Sequence, residues 1–339
     1  KVYLNRTILF FGYTWTMDAC NSPNFNRNTG CFQHPDGDEH NKNACDLFDF
    51  LRSYYKREAD RWEIEGFPHI HRSQAEMASF KENVMWIGHA TMLINHQNVT
   101  VLTDPQFSYR ASPFSFLGPT RVTPSPLKID DLPIIDVVVI SHNHFDHLDE
   151  ESIRRLTRTQ HNIKYFVPLG LKFLLKEWGA RNVTELDWWQ TVEIDGLKIQ
   201  PTPVKHWSKR TFFDRNKTLW AGWMMQWNDF AFYFAGDTGY SSDFKRTAKK
   251  LGKPHLAAIP IGAYEPREFM KSTHINPEEA VKVFSDLGAK YAIGIHWGTF
   301  KLTLEPMNEP PTRLKNALRA AGLDGKIFRT LKHGEMWPE

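Results

Sequence analysis

The sequence predicts an α+β chain in which two sheets stack face to face with helices on their outer faces, preceded by an N-terminal cap segment. Three observations lead there. From Val84 the chain changes to short β-branched and aromatic runs, whereas residues 1–80 are rich in Asn, Asp, Pro and aromatics. The early runs follow one another as hairpins, and the later ones alternate with helical stretches. No low-complexity tract or long linker interrupts residues 84–339. The division is therefore a cap over 1–80 and one larger domain over 81–339.

In chain order, Ile8–Trp15 reads as a first buried strand, or as the remnant of a signal segment, and at eight residues is far too short to span a bilayer. A loop-like stretch Cys20–Asn43 and a helix over Ala44–Asp60 complete the cap. Strands follow at Val84–Ile87, Thr91–Asn95, Val99–Thr103, Val137–Ser141, Tyr165–Val167, Leu197–Thr202, Leu219–Trp227, Phe230–Ala235, Ala257–Ile261 and Tyr291–Ile295. Helices are expected near Glu151–Thr157, Leu169–Trp178, Ser242–Leu251, Pro277–Asp286 and Pro311–Ala321. Two of these stop at Gly252 and Gly322, the residue type that ends helices most easily.

Composition narrows the function. Of 339 residues, 41% are hydrophobic and 24% charged, an ordinary globular balance. Lys and Arg exceed Asp and Glu by 42 − 39 = 3, too small a surplus for the dense cationic footprint of a nucleic-acid binder. The three cysteines, Cys20, Cys31 and Cys45, can form at most one disulfide, so the redox compartment stays open.

The chemistry concentrates in Ile140-Ser141-His142-Asn143-His144-Phe145-Asp146-His147-Leu148-Asp149, which puts four potential metal ligands within six residues directly after an apolar strand. In an extended strand end His142 and His144 point to the same side and can hold one ion together. Asp146 and His147 come after the chain begins to turn and can reach a second. Further ligands must come from other strand ends: His206 after Leu197–Thr202, Asp237 after Phe230–Ala235 and His296 after Tyr291–Ile295. Asp237, between Gly236 and Gly239, suits a bridging carboxylate, since glycine lets the backbone approach closely. Imidazole suits zinc, and the carboxylates admit manganese or iron as well. His34, His69, His96, His161, His255 and His333 read as surface or structurally hydrogen-bonded residues. Asp104 reads equally as a group orienting the ligand loop or as a turn former before Pro105.

The His-x-His-x-Asp-His run with later His, Asp and His resembles the metallo-β-lactamase superfamily, whose fold is a four-layer αββα sandwich with a dinuclear site between strand ends. Longer strings narrow the match. Trp86-Ile87-Gly88-His89-Ala90-Thr91, Phe234-Ala235-Gly236-Asp237-Thr238-Gly239-Tyr240, Ile259-Pro260-Ile261-Gly262-Ala263-Tyr264-Glu265-Pro266 and Ile295-His296-Trp297-Gly298-Thr299-Phe300 resemble the N-acyl-phosphatidylethanolamine-hydrolysing phospholipase D family over about residues 84–335. The resemblance implies two Zn2+ per chain, one on His142, His144 and His206, the other on Asp146, His147 and His296, with Asp237 and a hydroxide bridging both. It also places His274, in Lys271-Ser272-Thr273-His274, near the bound phosphate, so Asp146 and His274 are the catalytic candidates.

The implied substrate is a membrane N-acylated phosphatidylethanolamine, cleaved to phosphatidic acid and an N-acylethanolamine. A peripheral membrane contact follows, in the cytoplasm or periplasm, with a homodimer left open. The stretch Trp207–Phe213 interleaves Lys209 and Arg210 with aromatics, the mix that favours an anionic lipid interface. Lys205, Lys209, Arg210, Phe212 and Phe213 are accordingly the substrate-binding candidates. The rivals are a lactonase or other ester hydrolase on the same site, a nuclease disfavoured by the charge, and a structural metal module disfavoured because none of the motif's ligands is Cys.

Overall fold

The computed structural model describes residues 3–4, 7–10, 13–37, 52–53 and 67–338, with side chains from residue 19 onward. The expected helix Ala44–Asp60 lies largely outside the described residues, as do Cys45, Phe48 and Phe50. Ile8–Trp15 is not one strand. Thr7–Phe10 pairs antiparallel with Tyr13–Thr16, Phe10 opposite Tyr13. Cys20 and Cys31 are free thiols.

Two seven-stranded sheets form the body. The first runs in the order Asn182–Leu186, Lys164–Pro168, Val137–Val139, Val99–Thr103, Thr91–His96, Asn83–Gly88 and Met336–Trp337. The second runs Val192–Ile194, Leu197–Thr202, Gly222–Gln226, Ala231–Phe234, Leu256–Pro260, Tyr291–Ile295 and Phe328–Thr330. Period-two alternation sorts the side chains of the first sheet. Val84, Trp86, Met92, Ile94, Val137 and Val139 face the second sheet, while Met85, Ile87, Leu93, Val138 and Ile140 lie beneath helices carrying Ile153, Leu156 and Leu175. Because both faces are covered, the strand Val137–Val139 is apolar throughout instead of alternating. Phe244, Phe284 and Leu314 cover the outer face of the second sheet, completing four layers.

Some elements differ from expectation. Leu219–Trp227 is a strand only over Gly222–Gln226, because the Leu219, Trp220 and Ala221 backbone bonds elsewhere: Leu219 N–H donates to Leu169 O and Ala221 N–H to Ser141 O. The helix expected over Leu169–Trp178 covers only Lys172–Glu177. Asn182–Leu186 and the short edge strands Val192–Ile194, Phe328–Thr330 and Met336–Trp337 lack a strong alternating signal and acquire their conformation by pairing with neighbours.

The cap residues that are described hold to the sandwich. Phe32 is fully buried in the larger hydrophobic core, and its N–H donates to Asn216 O at 2.7 Å. His34, read as a structural histidine, is one: its Nε2 lies 2.8 Å from buried Asp243. Among the described residues no helix is long and apolar enough to cross a membrane.

Candidate metal centre

The strands that matter end on one rim. Val99–Thr103, Val137–Val139 and Lys164–Pro168 are mutually parallel, as are Ala231–Phe234, Leu256–Pro260 and Tyr291–Ile295, so their C-terminal ends deliver Asp104, His142, Asp237 and His296 to the same edge. A cross-link between the layers holds this rim, Trp223 Nε1 donating to Ile140 O at 2.9 Å, and within the second layer Trp220 Nε1 donates to Val204 O at 2.8 Å.

After His144 the chain turns as expected, the His147 and Leu148 N–H groups both donating to His144 O. His142 and His144 therefore face one point and Asp146 and His147 another. At the first, His142 Nε2 lies 2.8 Å from His144 Nδ1, and His206 Nε2 lies 3.3 Å from that same Nδ1. Asp237 Oδ2 stands 3.9 Å from His142 and 3.7 Å from His206. At the second, the His147 and His296 Nε2 atoms are 3.2 Å apart. Asp146 Oδ2 is 3.4 and 3.3 Å from them, and the two Asp237 oxygens are each 3.1 Å from one. Asp237 thus belongs to both groups. Its close approach depends on Gly236, with φ of +59°, where a Cβ would stand 2.8 Å from Ser141 Cβ, and on Gly239, where a Cβ would stand 2.5 Å from Ser272 O.

The donor chemistry fits a pair of cations. Two imidazole nitrogens at hydrogen-bond distance need a proton between them, and at the first point two Nε2 atoms, of His142 and His206, converge on the single Nδ1 of His144, so lone pairs outnumber donors there. The opposite ring nitrogens are already committed: His147 Nδ1 bonds Asp104 at 2.7 Å, His206 Nδ1 donates to Thr273 O at 3.0 Å and His142 Nδ1 meets Ser141 Oγ at 2.9 Å. Such outer partners fix the tautomer and aim Nε2 at an ion. Of the two readings of Asp104, the structure supports orientation, since its carboxylate also accepts from the Ser141 N–H at 2.7 Å.

Electrostatics agree with this. Burial and neighbouring histidines drive His142 well below its ordinary value, and burial lowers His144 to about 4 and His274 to about 3. These rings are neutral at neutral pH, the state a ligand requires. Burial opposes charge on His147 and His296 as well, but the Asp237 and Asp146 carboxylates prevail, raising His147 well above its ordinary value and His296 to about 9. Without cations these two rings are the counter-ions of the carboxylates.

His274 joins the centre at the end of a loop. Its Nδ1 lies 3.9 Å from Asp237 Oδ2, and 12% of its side chain remains exposed. Asp146, at 15%, opens to the same side; these residues mark the mouth. Lys205 adjoins His206, its backbone bridged to Gly239. Phe212 and Phe213 do not enter the centre but stand on a loop tip, 90% and 86% exposed, with Lys209 Nζ 5.9 Å from the Phe212 ring. Arg210, expected at the lipid, also has a structural part. Its Nη1 donates to Asn143 O at 2.9 Å and Leu148 O at 2.6 Å, and its guanidinium stacks 4.0 Å above Phe145. It clamps the ligand loop, so its charge is taken up by carbonyls that only folding brings near. One residue of the centre escaped sequence reasoning altogether: His89, buried, with Nε2 2.9 Å from Asp146 Oδ2. The strand-ending Gly88-His89 pair was the available signal.

Comparison with known proteins gives consistent results. A model described as the Beta-lactamase superfamily domain matches residues 99–297. N-acyl-phosphatidylethanolamine-hydrolyzing phospholipase D 1 of Caenorhabditis elegans is 45% identical over 264 residues, which cover 74% of this chain and 74% of that protein. The mitochondrial N-acyl-phosphatidylethanolamine-hydrolyzing phospholipase D of Saccharomyces cerevisiae is 36% identical over 250 residues, 72% of this chain but 53% of that one. Among solved structures, a metallo hydrolase of the archaeon Ignicoccus hospitalis aligns with a TM-score of 0.57 at 22% identity, covering 75% of this chain and 96% of its own. That likeness speaks for the fold alone.

Proposed function

Since the chain belongs to the N-acyl-phosphatidylethanolamine-hydrolysing phospholipase D family of the β-lactamase superfamily, and is thereby a metal-dependent hydrolase, we propose that it uses two zinc ions to hydrolyse N-acyl-phosphatidylethanolamine to phosphatidic acid and an N-acylethanolamine. The observation that carries this is the pair of adjacent donor groups sharing Asp237: His142, His144 and His206 would hold one ion, Asp146, His147 and His296 the other. Two ions so held would supply a nucleophilic oxygen from water near neutral pH and would neutralise charge on the phosphoryl oxygens.

The chain's own groups do the rest. The ligand loop is fixed before substrate arrives by Asp104, Ser141 and Arg210, so little reorganisation accompanies binding. Neutral His274, at the mouth and outside both donor groups, presents a ring N–H toward the phosphodiester. Attack of the water oxygen at phosphorus breaks the bond to the ethanolamide oxygen; that oxygen is a poor leaving group and departs with the proton the attacking water gives up.

Defined N-acyl phospholipids followed by mass spectrometry test the reaction. Release of N-acylethanolamine and phosphatidic acid that stops on chelation and returns with zinc is the expected result. Turnover of acyl lactones with none of the phospholipid would make the enzyme a lactonase instead.

The substrate's phosphodiester lies at headgroup depth, so the enzyme must dock an apolar surface there. Phe212 and Phe213 are suited to this by their exposure. A groove of about 620 Å3 is lined by Arg210, Arg110, Phe145, Tyr109 and Phe114 together with the carboxylates of Asp149, Glu150 and Glu151, and Tyr109, Phe114, Phe116 and Leu117 form a further exposed apolar run. Replacing Phe212 and Phe213 together by Ser is expected to weaken sedimentation with anionic liposomes, and to lower activity on vesicles more than on detergent-dispersed lipid. Equal losses in both formats with liposome binding intact would return these side chains to a packing role.

A further inference from the structure

His89 is 1% exposed and has no part in the function above. Its Nε2 bonds the Asp146 oxygen, Oδ2, that also faces His147 and His296. A carboxylate only accepts, so the shared proton sits on His89 Nε2, and that nitrogen is a donor, not a ligand.

The turn that aims it is fixed from several directions. Gly88 has φ of +147°, and a Cβ there would lie 2.6 Å from the His333 ring. His89 itself has φ of +52°, an uncommon conformation for a residue with a side chain. The His89 N–H donates to Thr299 Oγ1 at 2.7 Å, and that hydroxyl meets His333 Nε2 at 2.8 Å. The His89 carbonyl accepts from the His296 N–H at 2.9 Å and from Trp86 Nε1 at 3.0 Å. The backbone that presents His296 to the centre and the turn that presents His89 to Asp146 are therefore one braced unit.

We infer that His89 is a positioning residue for the Asp146 side of the centre, its hydrogen bond setting which carboxylate oxygen faces His147 and His296. It thereby governs affinity for the ion on that side and leaves the His142–His144–His206 side alone. The inference rests on the two-ion reading.

Metal-free wild-type protein and His89→Ala are titrated with zinc against a chromophoric chelator. One ion is expected to bind roughly 10–100-fold more weakly in the variant, the usual cost of losing an outer partner, with the other unchanged. His89→Gln, whose amide can still donate, should recover part of the loss; it carries the comparison if His89→Ala unfolds at a lower temperature when metal-free. Cobalt(II)-loaded His89→Gln should keep the wild-type absorption spectrum. A spectrum reporting changed coordination would make His89 a ligand and overturn the positioning role, as would unchanged affinity for both ions in both variants. If the wild type itself binds fewer than two ions, the two-ion reading fails and this inference with it.

Discussion

Asp237→Asn is expected to lose tight binding of both metal ions and, with them, turnover. The Asp237 carboxylate reaches five histidines of the centre, its oxygens 3.1 Å from His147 and His296 and 3.7 to 3.9 Å from His206, His142 and His274. Asparagine keeps the shape but removes the charge and half the acceptor capacity. Affinity should fall by more than the ~10–100-fold that removal of an outer partner costs, whereas His206→Ala should weaken mainly one ion. Metal analysis after gel filtration reads both outcomes. A variant that keeps two ions through the column would exclude Asp237 as the shared ligand, and a single tightly bound ion in fully active wild type would exclude the dinuclear centre.

His274→Ala is expected to keep both ions and lose turnover by ~10²–10³-fold, the range that removing one preorganised hydrogen-bond donor costs. The separation is possible because the loop does two jobs through different atoms. Its backbone serves the metal side, Thr273 O accepting from His206 Nδ1, and it is anchored by the His274 N–H to Met270 O bond and by Arg267 Nη1 on His274 O. The imidazole alone faces the mouth. Because burial lowers His274 to about 3, the ring stays neutral from weakly acidic to alkaline pH, and its loss should reduce the rate across that range without moving the limbs of the pH profile. Full activity of His274→Ala on a lipid phosphodiester would reduce this histidine to a loop support; loss of an ion along with activity would place it among the ligands.

The sequence by itself picked out the side chains that meet at the candidate centre, because much of the relevant information is local. Period two in a strand puts His142 and His144 on one side, and four ligand types in six residues after a buried strand mark a strand-end centre. The stacked sheets were legible for a related reason: strong apolar runs such as Val137–Ile140 specify strands buried on both faces. The weak edge strands carried no comparable signal, since pairing with a neighbour, not their own pattern, makes them strands.

Only the tertiary structure decided the rest. It brought His89, 57 residues from Asp146 in sequence, to that carboxylate. It decided between the two readings of Asp104 by making it the partner of His147, and gave Arg210 a place as a clamp on the His142–His147 loop. Each of these roles is set by a hydrogen bond between groups distant in the chain, and a residue's type states which bonds it can make, while the folded geometry states which partner is within 3 Å.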